Sequence, residues 1–242
     1  MFLQKSNYVF ILILFFLLFI DNLYCQNQNI NFENSERLKD SIGNIYGLDP
    51  ILYNGKLYNY YPQKKIIGNQ YLTDEKYLRG EIIIREKKFS NLSLNYDIFN
   101  QELILKYNNS FNFVNSLIVS KAWLQEFTIG SSRFKLLILN NFPERIYQVI
   151  GNDSIQIYYF IKKDLKLDNV SGQSSYEFIL QKLLYIYENN RLIPYTNNKS
   201  FIHFFDIKNR LMIKKYLRKH KIKVKKASDQ VMEQLINYCN DI

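Results

Sequence analysis

The chain has 242 residues, 47% of them hydrophobic, 22% charged and 16% aromatic, with a formal net charge of +10. This is ordinary globular composition, enough for one full core or two small ones. Gly 8 and Pro 4 exclude a collagen-like or linker protein, and the aromatic content, mostly Tyr and Phe, favours strands.

From Tyr8 to Ile20 the chain reads YVFILILFFLLFI, with Lys5 the one charge before it and polar DN after it. A bilayer crossing takes about 20 apolar residues, and this run is shorter. The pattern predicts a secretory signal peptide over 1–25, cleaved after Cys25, and therefore export to the periplasm or cell surface. An uncleaved anchor and a lipid-bearing Cys25 are the alternatives. Against lipid attachment, Tyr24 stands where a small residue is wanted and Asn22 where an aliphatic is expected. With Cys25 in the leader, Cys239 has no partner for an intrachain disulfide, so stability must come from core burial.

Residues 26–45 are polar and poorly patterned, a leader strand or tether. In ILYNGKLYNYY, residues 51–61, Asn54-Gly55 between two apolar runs predicts a tight hairpin. Leu92, Leu94 and Tyr96 alternate with polar residues, and Leu103, Leu105 and Tyr107 repeat the alternation after the turn DIFNQE. Phe134, Leu136 and Ile138 form another period-two face, as do Ile155, Ile157, Tyr159 and Ile161 after the turn GNDS. The stretch from Tyr176 to Tyr195 fits a hairpin turning at Asn189-Asn190. Short strands at near-regular spacing predict a mainly β body over 46–200, an antiparallel β-sandwich or open barrel.

The end of the chain changes character. A helix from Asn209 to about Lys219 would gather Met212, Ile213, Tyr216 and Leu217 on one side, with Leu211 spoiling the stripe. A second helix follows Ser228 as N-cap, burying Val231, Met232, Leu235, Ile236 and Cys239. Joined by an extended KIKVKK, this pair makes a basic helical appendix over 201–242, α+β overall.

Gly80 to Tyr107, especially LNYDIFNQELIL, and then the stretch from FFDIKNRLMIKKYLRKHKIKVKK to the C-terminal NYCND carry a resemblance. In them the chain resembles uncharacterised exported proteins of Bacteroidetes. That resemblance implies an envelope compartment and a β-rich body, and supplies no catalytic residue.

Chemistry-bearing motifs are sparse. His203 and His220 lie far apart, so no metal site is expected; His203, in SFIHFFDI, reads as a packed aromatic neighbour. No G-x-S-x-G elbow and no Gly-rich phosphate loop occurs, and no cofactor is expected. Gly130, Ser131 and Ser132 read as a hairpin turn. Asp97 and Glu102 could pair as the carboxylates of an envelope hydrolase, against the simpler reading of Asp97 as a turn residue. The triplets Asp40-Ser41-Ile42 and Asp153-Ser154-Ile155 match a short acceptor pattern for O-glycosylation in Bacteroidetes.

Between 207 and 226 lie Lys208, Arg210, Lys214, Lys215, Arg218, Lys219, Lys221, Lys223, Lys225 and Lys226, with no acid among them. This segment equals the whole net charge, and losing the leader, with Lys5 and Asp21, does not alter it. Such a concentrated field exceeds what solubility requires. Nucleic acid is a poor partner for an exported chain without a recognisable nucleic-acid module. The expected partners are anionic lipid, lipopolysaccharide or an acidic envelope protein, and the alternative is a solvated helix face. The expected role is a non-enzymatic binding or assembly accessory of the envelope.

Overall fold

The computed structural model describes residues 48–59, 66–109, 111–139, 142–168 and 175–242. The expected signal peptide, its cleavage site at Cys25 and the polar leader lie outside the described residues, as does the first DSI triplet.

The body is built from alternating sequence, and its strands follow one another across the sheet. They are β1 (Gly55–Leu57), β2 (Ile66–Ile67), β3 (Leu72–Glu75), β4 (Leu78–Ile84), β5 (Lys87–Asp97), β6 (Glu102–Asn108) and β7 (Val114–Val119). After a short 3-10 turn come β8 (Leu124–Ile129), β9 (Ser132–Leu139), β10 (Phe142–Ile150), β11 (Gln156–Asp168), β12 (Ser175–Glu188) and β13 (Arg191–Pro194). Among the described residues, twelve of these form a single open sheet in the order β1-β7-β6-β5-β4-β8-β9-β10-β11-β12-β13, with β2 on β12. Every pairing is antiparallel except β2 with β12. The protein is thus mainly β with helices at its C-terminal end. Of the two expected layouts the structure takes the open one, one curled sheet and not a pair of stacked sheets.

The curl is visible in bonds between strands far apart in the sheet order. Ile98, just after β5, accepts a backbone bond from Lys163 of β11 (3.2 Å). Gln101 Nε2 reaches the carbonyl of Ile161 (3.0 Å), while its Oε1 accepts from the Tyr96 hydroxyl (2.7 Å). Inside the curl, Phe127 stacks on Phe134 with centroids 4.9 Å apart, and Tyr96 meets both edge-on at 5.6 Å. Fully burying such rings drives collapse. Gly80 makes the tight middle possible, because a Cβ there would run into the carbonyl of Thr128 on β8.

Local turns follow recognisable chemistry. Asn189 and Asn190 take φ of 48° and 61°, the two left-handed positions of a tight hairpin turn, as expected. Asn54-Gly55 does not make the expected hairpin, since neither residue has positive φ. Residues 51–53 instead turn on Asp49, whose carboxylate accepts from Ile51 N (2.9 Å), and Leu52 plugs the core. Gly55 begins an edge strand on β7, where a Cβ would strike the carbonyl of Ile118. Its smallness serves close approach and not a turn.

Two strands carry more than their alternation showed. Ile138 lies 77% exposed although Phe134 on the same face is buried, because that end of β9 runs past the core. On β11 both faces are buried. Ile157, Tyr159 and Ile161 join the main core, while Tyr158 and Phe160 join a second cluster with Tyr147, Val149, Tyr185 and Leu192.

Three helices, not two, close the fold: α1 (Asn198–Phe204), α2 (Ile207–Lys219) and α3 (Asp229–Asn240). The missed α1 is opened by a capping box, in which Ser200 N donates to Asn197 Oδ1 (3.0 Å) and Asn197 N donates to Ser200 Oγ (3.1 Å). The apolar faces of all three enter the sheet's main core through Phe201, Ile213, Leu217, Met232, Leu235, Ile236 and Cys239. Helix α3 is capped by Ser228 and pinned at both ends. Asp229 accepts from Gln148 of β10 (2.6 Å), and Asn240 bonds both the N–H (3.1 Å) and the carbonyl (3.0 Å) of Ile155.

Candidate functional site

The ten basic residues divide by what holds them. Lys208, Lys214, Lys215, Arg218 and Lys219 stand exposed on α2, and Lys221, Lys223, Lys225 and Lys226 stand exposed on the connection to α3. Arg210 does not belong with them. Half-buried, it donates from Nε to the carbonyl of Phe205 (2.7 Å) and from a terminal nitrogen to that of His203 (2.8 Å), locking α2 against α1. Among the described residues, ion pairs join Lys87 to Asp49, Lys88 to Glu81, Lys162 to Asp164 and Lys182 to Asp229. None involves the nine exposed cations of the lobe.

Those nine are presented on a rigid frame. Ile213 and Leu217 root α2 in the core, and Tyr216 stacks on Tyr238 of α3 at 4.2 Å and meets the His220 ring at a tilt, centroids 4.4 Å apart. The helix ends in a Schellman motif: Ile222 N donates to Leu217 O (2.9 Å) and Lys221 N to Arg218 O (3.2 Å). The left-handed position at its centre, usually a glycine, is Lys221 with φ 53°. The connection is not the expected extended segment. Ile222 and Val224 are buried, Lys226 N turns back onto Lys223 O (2.8 Å), and Asn198 bonds Ile222 O (2.7 Å) and Val224 N (2.9 Å). Lysines alternate with buried aliphatics here, so each points away from the core.

The outward side of α2 also carries aliphatics that pattern reading missed. Ile207 is 80% exposed, Leu211 61% and Met212 41%. Met212 was expected on the buried side. Leu211, the residue that broke the apolar stripe in the sequence, was the signal that this helix has two apolar aspects.

The carboxylate pair is built otherwise. Asp97 and Glu102 are directly paired across the β5–β6 hairpin. The Asp97 carboxylate, wholly buried, accepts from Phe99 N (3.0 Å), Asn100 N (2.8 Å) and Asn100 Nδ2 (2.8 Å). These bonds shape the turn, as a turn aspartate does. Glu102 has its pKa raised by burial and then by the Asp97 charge. Beside them, Lys163 Nζ donates to the carbonyls of Tyr71 (2.6 Å) and Asn69 (2.8 Å), stitching residues 69–71 to β11; desolvation lowers its pKa.

The remaining candidates have ordinary places. His203 is exposed and not packed among aromatic rings, because its turn of α1 faces out. Gly130 and Ser131 form the β8–β9 turn, with Gly130 at φ 57°. Ser154 donates its hydroxyl to Asn240 (3.2 Å). Among the described residues no three His, Cys, Asp or Glu cluster closely enough to hold a metal ion. Cys239 is buried, and burial pushes its thiol up to about 12, far from reactive thiolate character. An open cleft of about 450 Å³ is lined by apolar Leu72, Leu78 and Phe134 and by polar Ser132, Gln148 and Asp229. Its polar groups satisfy one another: Gln148 Nε2 reaches both Asp229 and Ser132 (3.5 Å), and Lys182 donates to Asp229 (3.4 Å).

Set against family models, curated proteins and solved structures, the chain matches none. Any functional reading therefore stands on the residues themselves.

Proposed function

We propose that this is an exported envelope protein with a binding or assembly role, whose C-terminal lobe docks onto an anionic surface or acidic partner. One observation carries the docking: nine exposed cations on a rigid frame, without an acid in their segment and without an ion pair among the described residues. Charge so arranged is satisfied by an external polyanion, through local attraction and counterion release. Export rests on the leader pattern of residues 1–25 and on the resemblance carried by the YDI and QELIL segments.

Binding to a sulfated-polysaccharide resin tests the docking. The full chain is expected to be retained at low salt and released as salt rises, whereas a variant with Lys215, Arg218, Lys219 and Lys223 all changed to Gln elutes early. Equal retention of both forms refutes it. Cell fractionation with N-terminal sequencing tests export: a processed N-terminus near Gln26 supports it, and full-length soluble cytosolic protein refutes it.

A further inference from the structure

The solvent side of α2 has a composition that a hydrophilic polyanion would not use. Lys208, Met212, Lys215 and Lys219 recur at three- and four-residue spacing, and Ile207, Leu211 and Arg218 run beside them, opposite the buried Ile213 and Leu217. The aliphatics occupy the first half of the helix and the cations crowd the second half and the connection after it. Large aliphatics 80% and 61% exposed have nothing to gain from water. Beside lysines, they are the composition of a helix that lies in a lipid interface, apolar groups at the headgroup–acyl boundary and ammonium groups on phosphates.

We propose that α2 lies flat on an anionic phospholipid bilayer, with Ile207, Leu211 and Met212 entering the interface and the surrounding lysines bound to lipid phosphates. This rests on the docking reading above and names its partner. Charge complementarity selects the anionic headgroup, and the exposed aliphatics select a bilayer over a soluble polyanion. The frame suits the task, because Arg210, the Tyr216–Tyr238 stack and the Schellman turn hold the face in place before contact. No folding transition is then charged against binding.

The test measures co-sedimentation of the full chain with phosphatidylglycerol-containing vesicles and with pure phosphatidylcholine vesicles, scored as the ratio of the two affinities. The ratio removes any contribution that the apolar stretch at 8–20 makes to both. A ratio of about tenfold or more at low salt, collapsing at high salt, is expected. Each Lys→Gln change at 215 or 219 should lower affinity for the anionic vesicles by about fivefold. The double variant Ile207→Ser, Leu211→Ser removes only exposed groups and should keep its thermal midpoint and its retention on the polysaccharide resin. It is nevertheless expected to lose about tenfold on anionic vesicles. A double variant that binds them like the parent overturns the bilayer assignment while leaving the docking reading intact. Loss of resin retention by the parent overturns both. A ratio near one overturns the anionic-lipid assignment alone.

Discussion

Five lysines of the sheet and the lysines of the C-terminal lobe are the same chemical group with opposite fates. On the sheet, Lys87, Lys88, Lys162 and Lys182 each meet a carboxylate, and Lys163 is caged by backbone carbonyls. In the lobe, nine cations follow one another on a helix and its exit loop, exposed and without an ion pair among the described residues. These five serve the fold: Lys182 ties β12 to the first turn of α3, and Lys163 seals the curl. Of the lobe's cations only Arg210 does the same, by its bonds to Phe205 and His203, and the nine exposed cations make no ion pair among the described residues. The apolar residues repeat the contrast, with Phe127 and Phe134 stacked inside and Ile207 and Leu211 facing water.

Variants can break or sharpen that contrast. The largest effect is expected inside the curl, where Phe134→Ala removes a ring that touches both Tyr96 and Phe127 and should cost about 3–5 kcal/mol in urea unfolding. A loss below about 1 kcal/mol would mean that the curl is not held by this cluster. Asp97→Ala should cost about 2–3 kcal/mol, since two backbone N–H groups of the β5–β6 turn lose their acceptor. Asp97→Asn keeps one acceptor oxygen and should recover part of that loss, an outcome that a catalytic carboxylate would not require.

A pH series probes the same interior. The Cys239 thiol is raised by burial from 9.0 to about 12, so between these values the unfolded chain gives up a proton that the folded one keeps. Stability is therefore fully present below about pH 9 and falls as pH rises towards about 12. Cys239→Ala should flatten that part of the decline in thermal unfolding scans.

In the lobe the expected effects shrink or change sign. Lys221→Gly relieves a left-handed lysine and should raise stability by about 1 kcal/mol. Changing Lys215 and Lys219 to Gln should move stability by no more than about 0.5 kcal/mol, because these side chains hold nothing in the fold. A loss of 2 kcal/mol there would show that the cations are structural and would erase the contrast.

Much of the fold was legible locally. The alternation at Leu92–Leu94–Tyr96, the two-asparagine turn and the Ser228 cap each state their own conformation within a few residues. Asn54-Gly55 misled because a glycine serves either positive φ or close approach, and the neighbour that decides, Ile118, is far away in sequence. Helix α1 was hidden because FIHFF reads equally as strand, and its Asn197–Ser200 capping box was the cue. For the candidate surface, the run of cations was plain. That Arg210 is withdrawn from it and that Leu211 joins it was not.

By itself the sequence determined period, turn chemistry and charge, because these depend on a residue and its near neighbours. Only the tertiary structure decided that the strands make one curled sheet and which side of α2 meets solvent. Those outcomes depend on contacts between segments 60 or more positions apart, such as Gln101 with Ile161 and Lys163 with Asn69. No local pattern encodes them, since burial of a residue is a property of what packs against it.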